Sequence, residues 1–261
     1  MYETIITEVR GQTGWITINR AERRNALNPT AVRELAAALQ EMEEQKEVIS
    51  LVLTGAGEKA FCAGMDLGGG EALQLSCLDR HELQRQFLEL LKRMKALRKP
   101  LIARVQGAAL GGGFGLMSAC DLVVAAAEVQ CGTPEINLGL FPYIITAVLL
   151  RATSSPKALL ELMLTGERIS AARAAELGFI NHVVGREALD PAVDQLTAQL
   201  NAKSPAVLRL GRRAFYTARD MSYEHALEYL SGMLALNMQA EDMVEGVTAF
   251  MEKREPRWQG R

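Results

Sequence analysis

A chain of 261 residues in which 49% are hydrophobic and acids and bases are interspersed to a formal net charge of -2 has the material for one large core, or a core with an appendage. That balance gives no reason to expect nucleic acid or an anionic membrane as a partner. The four cysteines, Cys62, Cys77, Cys120 and Cys131, form no C-x-x-C pair, so a reduced cytoplasmic chain is expected and a disulfide or zinc framework is not.

The start, MYETIITEVRG, is charged and alternating and has no apolar stretch behind a basic end, which argues against a secretory signal. Ile5–Val9 and Trp15–Asn19 alternate around Gly11 and Gly14 and predict a hairpin. Asn28-Pro29 then opens a helix with a capping asparagine and a first-turn proline, and Val32, Leu35, Ala36, Leu39 and Met42 give it one apolar face. The continuous apolar run Val48–Leu53 predicts a strand buried on both faces. A helix follows over Asp79–Leu97, ended by Lys99-Pro100, with strands at Leu101–Val105 and, after a glycine-rich stretch, at Leu122–Ala126. The longest uncharged stretches, Val105–Cys120 and Ile136–Leu150, are shorter than the roughly 20 apolar residues a membrane span needs. From about Pro156 the pattern is helical: Ser170 caps a short helix ending at Gly178, Ile180–Val184 is one last strand, and beyond Asp190-Pro191 come helices over Val193–Ala202, Ala206–Ala218, Tyr223–Gln239 and Asp242–Lys253. Strand, loop and helix in this repetition predict an α/β fold with a largely parallel sheet, a core over 1–190 and a helical C-terminal region over 191–261.

Three groups of residues are candidates for chemistry. TGAGEKA at Thr54–Ala60 has the spacing of a dinucleotide fingerprint, but the sequel FCAGMDLGGG puts glycines where the phosphate-binding helix must begin, so a turn is the better account. His81, His182 and His225 stand far from one another and from any cysteine or paired acid at ligand spacing, and no G-x-S-x-G is present; no metal site or nucleophile is expected from them or from Cys62. The third group is a pair of segments, FCAGMDL at Phe61–Leu67 and GAALGGG at Gly107–Gly113. Each follows a strand and leaves free backbone N–H groups near a helix start, where negative charge is favoured. Such amides can converge as an oxyanion hole, and glycines can equally serve tight packing of a helix on a sheet; composition alone leaves both readings open.

These two segments, in this order, resemble the two oxyanion-hole motifs of the crotonase family, the enoyl-CoA hydratase/isomerase superfamily. RAERRNALN at Arg20–Asn28 looks like that family's R-P-x-x-x-N-A-L element, with Ala21 for the usual proline. TPEINLGLFP at Thr133–Pro142 looks like its P-E-x-x-L-G-x-x-P element, and LTGERISAARAAELGFINHVV at Leu164–Val184 resembles its later core. The resemblance implies a crotonase-like spiral of ββα units, assembly into a trimer or a dimer of trimers through the C-terminal helices, and no metal or redox cofactor, coenzyme A being part of the substrate. It implies that the amides of Met65 and Gly112 donate to the thioester oxygen and that Glu135 is catalytic. Arg24, Ala26, Ala63, Asp66 and Leu67 would follow the coenzyme A and pantetheine arm, and Gly64, Gly113, Gly115, Pro134 and Leu140 complete the expected substrate-binding set.

The chain departs from the family's hydratases at one of their two glutamates, where it has Gly115, and LGLFPYIITAVLL lacks the G-G-T-Q that follows this proline in them. One carboxylate and two amides suit removal of a proton from carbon 2 of an acyl-CoA and its return two carbons away. The expected activity is therefore 3-enoyl to 2-enoyl-CoA isomerisation, with 2-enoyl-CoA hydration and acyl-CoA binding without turnover as the alternatives. Leu227, Leu230, Leu234 and Met238, with Met233 and Leu236 beside them, line one face of a C-terminal helix, more apolar surface than an appendage needs, which is where assembly is expected.

Overall fold

Two residues separate strands β1 (Ile5–Arg10) and β2 (Thr13–Ile18), which pair antiparallel from Ile5 opposite Ile18 to Arg10 opposite Thr13. Gly11 opens the turn with φ +59°, the left-handed geometry a tight hairpin asks of its first loop residue; Gly14 lies inside β2. This is seen in a computed structural model that describes residues 2–66 and 76–261.

The apolar run after the first helix becomes β3 (Ser50–Gly55), buried at every position, as a strand covered on both faces must be. With β5 (Leu101–Val105), β7 (Leu122–Ala126) and β10 (His182–Val184) it extends the hairpin into a six-stranded sheet ordered β1-β2-β3-β5-β7-β10, parallel throughout except for β1.

A second sheet was not legible in the sequence. Its strands, β4 (Ala60–Cys62), β6 (Ala108–Leu110), β8 (Gln130–Gly132) and β9 (Arg168–Ser170), have three residues each, too few for a period-2 pattern to register. The order is β4-β6-β8-β9, with only β9 antiparallel. β4, β6 and β8 each follow a long strand of the first sheet, so the chain advances as repeated pairs of strands followed by a helical turn: this is an α/β fold of the crotonase type. Buried amides hold the corner between the sheets. Gln106 Nε2 donates to the carbonyls of Gly55 (2.7 Å) and Ala60 (2.8 Å), and Asn25 Nδ2 donates to those of Ala56 (2.9 Å) and Ala60 (2.7 Å).

Among the described residues ten α-helices cover these sheets. α1 (Pro29–Glu44) starts as expected, with Asn28 Oδ1 accepting from Ala31 N at 2.8 Å, and packs beside α2 (Cys77–Ala96). α3 (Gly112–Ser118) is buried almost throughout. α4 (Tyr143–Ala152) was not expected, since no side chain caps its start. α5 (Pro156–Thr165) follows, then α6 (Ala171–Glu176), capped by Ser170. α7 (Leu189–Asn201) lies on the larger sheet: Leu189 and Val193 are in the core, and Asn201 bonds Ser50 (2.8 Å) and Thr13 (2.9 Å).

α8 (Pro205–Ala218) is clipped on by Arg212, which caps the end of α2 through the carbonyls of Met94 (2.7 Å) and Lys95 (3.0 Å) and pairs with Asp121 at 2.7 Å. Tyr216 donates to the other oxygen of Asp121 at 2.6 Å. α9 (Tyr223–Asn237) and α10 (Glu241–Glu252) end the fold, and α9 has no buried residue. Among the described residues no helix is long and apolar enough to cross a membrane.

Candidate active site

The two glycine-bearing segments meet because β4 and β6 are neighbours, with Cys62 opposite Ala109, so their ends deliver residues 63–65 and 111–113 side by side. A Cβ on Gly64, whose φ is +94°, would stand 3.0 Å from the Leu110 carbonyl oxygen and 3.3 Å from Gly112 N; a Cβ on Gly112 would stand 3.6 Å from Met65 N. Leu27 fixes the first segment. It donates to the Gly64 carbonyl at 2.8 Å and accepts from Asp66 N at 2.9 Å, a parallel bridge that uses the neighbours of Met65 and turns the N–H of Met65 itself away from Leu27. Gly112 is the first residue of α3, where backbone N–H groups have no partner within the helix. Among the described residues neither amide donates a hydrogen bond. Two free donors beside a helix N-terminus favour a partially negative oxygen.

Glu135 reaches the same place from the short 3-10 turn Pro134–Leu138 that follows β8. Gly111 N donates to the Gly132 carbonyl at 2.8 Å, drawing β8 to the mouth of α3. The carboxyl lies over Gly111, where φ is +53° and an added Cβ would sit 2.7 Å from Oε1. That close approach is the reason glycine stands there. Oε2 is buried with no hydrogen-bond partner among the described residues, and burial pushes the Glu135 carboxyl above its ordinary range, opposed in part by a backbone N–H. A part-buried carboxylate with one oxygen unpartnered among the described residues, beside two amides that donate to none of them, can remove a proton from a carbon acid whose developing negative charge the amides receive.

The remaining expected residues divide. At Gly113 a Cβ would stand 2.1 Å from the Cys62 carbonyl oxygen, so its open face serves the contact of α3 with β4. Gly115 is buried with a negative φ, and Ile145 fills the space its side chain would take. Ala26 is buried, and Ala63 N donates to the Arg24 carbonyl at 3.1 Å, while Arg24 is exposed in left-handed geometry (φ 53°). Pro134 opens the turn that carries Glu135, and Leu140, 54% exposed, donates its N–H to the Glu135 carbonyl at 3.1 Å. Leu67 lies outside the described residues.

Sequence reasoning missed Arg20 as the organiser of this edge. It donates to the Ala26 carbonyl and pairs with Asp66 at 2.8 Å, holding the 20–27 segment against the 63–66 segment; its place at the head of RAERRNALN was the available signal. TGAGEKA leads into β4 and not into a helix, so it offers no phosphate cradle. His81, His182 and His225 are exposed, and Cys62 is fully buried with its thiol pushed up to about 12 by burial. A cavity of about 940 Å³ opens at the far end of α3, between α2, α4 and α8, and is lined by Leu88, Leu91, Val148 and Phe215 among others. Met65, Gly112 and Glu135 are not part of its lining.

Residues 9–261 match the sequence family described as enoyl-CoA hydratase/isomerase. The chain is 32% identical to the crotonyl-CoA hydratase of Syntrophomonas wolfei, with 97% of this chain and 96% of that protein aligned. It is 34% identical to the hydroxycinnamoyl-CoA hydratase-lyase of Pseudomonas fluorescens, over 89% of this chain and 85% of that one. Its fold superposes on the crystal structure of an enoyl-CoA hydratase of Mycobacterium smegmatis with a TM-score of 0.93, at 33% identity and coverage of 98% and 99%.

Proposed function

The chain belongs to the enoyl-CoA hydratase/isomerase family and is an enzyme of the lyase/isomerase kind, and we propose that its reaction is the conversion of a 3-enoyl-CoA to a 2-enoyl-CoA. One observation carries the choice: Glu135 presents a buried, unpartnered carboxylate oxygen, while Gly115, one turn further along α3, has no room for a second acid. The thioester oxygen accepts from Met65 N–H and Gly112 N–H. Glu135 takes a proton from carbon 2, the electron pair spreads over the carbonyl and the carbon 3–carbon 4 double bond, and the same proton is returned at carbon 4. The double bond then lies between carbons 2 and 3, nothing is added or lost, and Glu135 is again a carboxylate. Arg24, Ala26, Ala63 and Asp66 follow the coenzyme A arm in this reading, and no metal or redox cofactor takes part.

Hydration is the second reading, favoured by the names of the relatives. It needs the oxygen of a water bonded to carbon 3 while carbon 2 gains a proton, work that Glu135 must then do alone among the described residues of the site. The test assays the unaltered protein on a 3-enoyl-CoA and a 2-enoyl-CoA. Isomerisation is expected to be the faster, and Glu135→Gln to lower it by about a hundredfold to ten-thousandfold, the usual worth of one positioned acid–base group, with acyl-CoA binding in calorimetry nearly unchanged. Hydration equal to or faster than isomerisation sinks the reading.

A further inference from the structure

The N-cap of α3, Gly111, and Gly115 within the helix are joined by the hydrogen bond from Gly115 N to the Gly111 carbonyl at 3.1 Å, and both lack a side chain. At Gly111 the space for a Cβ is taken by the Glu135 carboxyl; at Gly115 it is taken by Ile145, with Cγ2 at 2.2 Å and Cβ at 2.7 Å from where a Cβ would be. The two occupants therefore meet the same stretch of backbone, Glu135 at the N-cap of α3 and Ile145 within its first turns. Ile145 has little freedom to retreat. It is 3% exposed, in the core, and sits in the first turn of α4, where Thr146 N and Oγ1 both bond the Pro142 carbonyl at 3.1 and 2.8 Å.

We infer that Ile145 is a specificity-determining residue: it plugs α3 at Gly115 and excludes from the neighbourhood of Glu135 both a side chain at position 115 and a water bound in its place. The inference deepens the isomerase reading and rests on it. Isomerisation moves one proton from carbon 2 to carbon 4 and consumes no water, so an apolar plug costs it nothing. Hydration must fix a water whose oxygen bonds carbon 3, and an isoleucine offers that water neither space nor a hydrogen bond. Gly115 and Ile145 also form one unit. A glutamate cannot be restored at 115 by itself, and truncation of Ile145 to alanine leaves its Cβ in the way, so glycine at 145 is needed to open the site.

The test compares wild type, Gly115→Glu, Ile145→Gly and the double variant by thermal melting, and by hydration of a short 2-enoyl-CoA beside isomerisation of the matching 3-enoyl-CoA. G115E alone is expected to melt far below wild type or not to accumulate. The double variant is expected to melt above G115E, and to raise the ratio of hydration to isomerisation about tenfold or more over I145G, the low end of what a positioned acid contributes being higher still. A G115E protein as stable as wild type, an absence of rescue, or a folded double variant with an unchanged ratio overturns the plug. Should the glutamate proteins not accumulate, Gly115→Ala is measured with and without Ile145→Gly. The alanine must cost at least about tenfold less in the folding equilibrium when Ile145 is truncated, as coupled contacts do, and equal costs overturn the inference. Wild type hydrating as fast as it isomerises defeats the isomerase reading by itself, whereas the melting comparison decides the plug.

Discussion

Glu135 is where function works against stability at the scale of one residue. Its carboxyl titrates above the ordinary range because burial disfavours the charged form. A carboxyl whose folded pKa is raised contributes stability that is fully present below its unfolded pKa and is lost as pH rises through the folded value. At neutral and alkaline pH the charged form is therefore a burden that glutamine lacks. Glu135→Gln is expected to raise the melting temperature at pH 8, with the gain shrinking towards pH 4; melting curves across that range check it, and a gain that grows on acidification refutes the assignment. The same shift sets the rate profile. Activity that needs the carboxylate rises with pH along a limb lying above the usual glutamate range, and a rate already flat at pH 5 contradicts a buried base.

Among the elements, α3 is the one that joins packing to chemistry, and the glycines of the helix and its N-cap do different work. Gly111 makes room for Glu135, Gly112 brings its amide beside Met65, Gly113 lets the helix rest on the Cys62 carbonyl, and Gly115 receives Ile145. Gly113→Ala forces a methyl group to 2.1 Å from that oxygen and is expected to lower stability by about 1–3 kcal/mol or more, the range for overpacking. Gly211→Ala in α8, where a Cβ meets nothing within 4 Å, is the contrasting case and is expected to gain up to about 1 kcal/mol from helix propensity. Denaturant titration of both tests the distinction, and equal effects would mean that the glycines of α3 are not packing positions.

For the whole molecule the question is what covers the C-terminal helices. α9 has no fully buried residue, and Leu227, Leu230, Leu234 and Leu236 are exposed on it, as are Met238 at its end and Val247, Phe250 and Met251 on α10. An apolar surface of this extent marks an interaction site, and we propose that it joins copies of this chain into a trimer or a dimer of trimers. Sedimentation is expected to give three or six times 28.5 kDa, and Leu234→Glu to shift the population to smaller species while the far-ultraviolet signal of the helices remains. A stable monomer of the unaltered protein at micromolar concentration rules the proposal out.

The sequence by itself determined the α/β class, the parallel core and most helix starts, because those rest on local physics: continuous apolar runs, an asparagine or serine cap, a first-turn proline. Through the family resemblance it also marked Met65, Gly112 and Glu135, since the motifs holding them are contiguous in the chain. Strands of three residues carry no period, so the second sheet that brings β4 beside β6 became visible only in three dimensions, and with it the meeting of two segments far apart in sequence. The same holds for each empty position along α3. Glycine looks alike in every sequence, and whether its missing side chain admits a carboxylate, a carbonyl or an isoleucine is set by what the fold brings against it. At Gly115 that neighbour is Ile145, from a helix that no local signal announced, because contact between the two depends on α4 packing across α3 and not on either stretch alone.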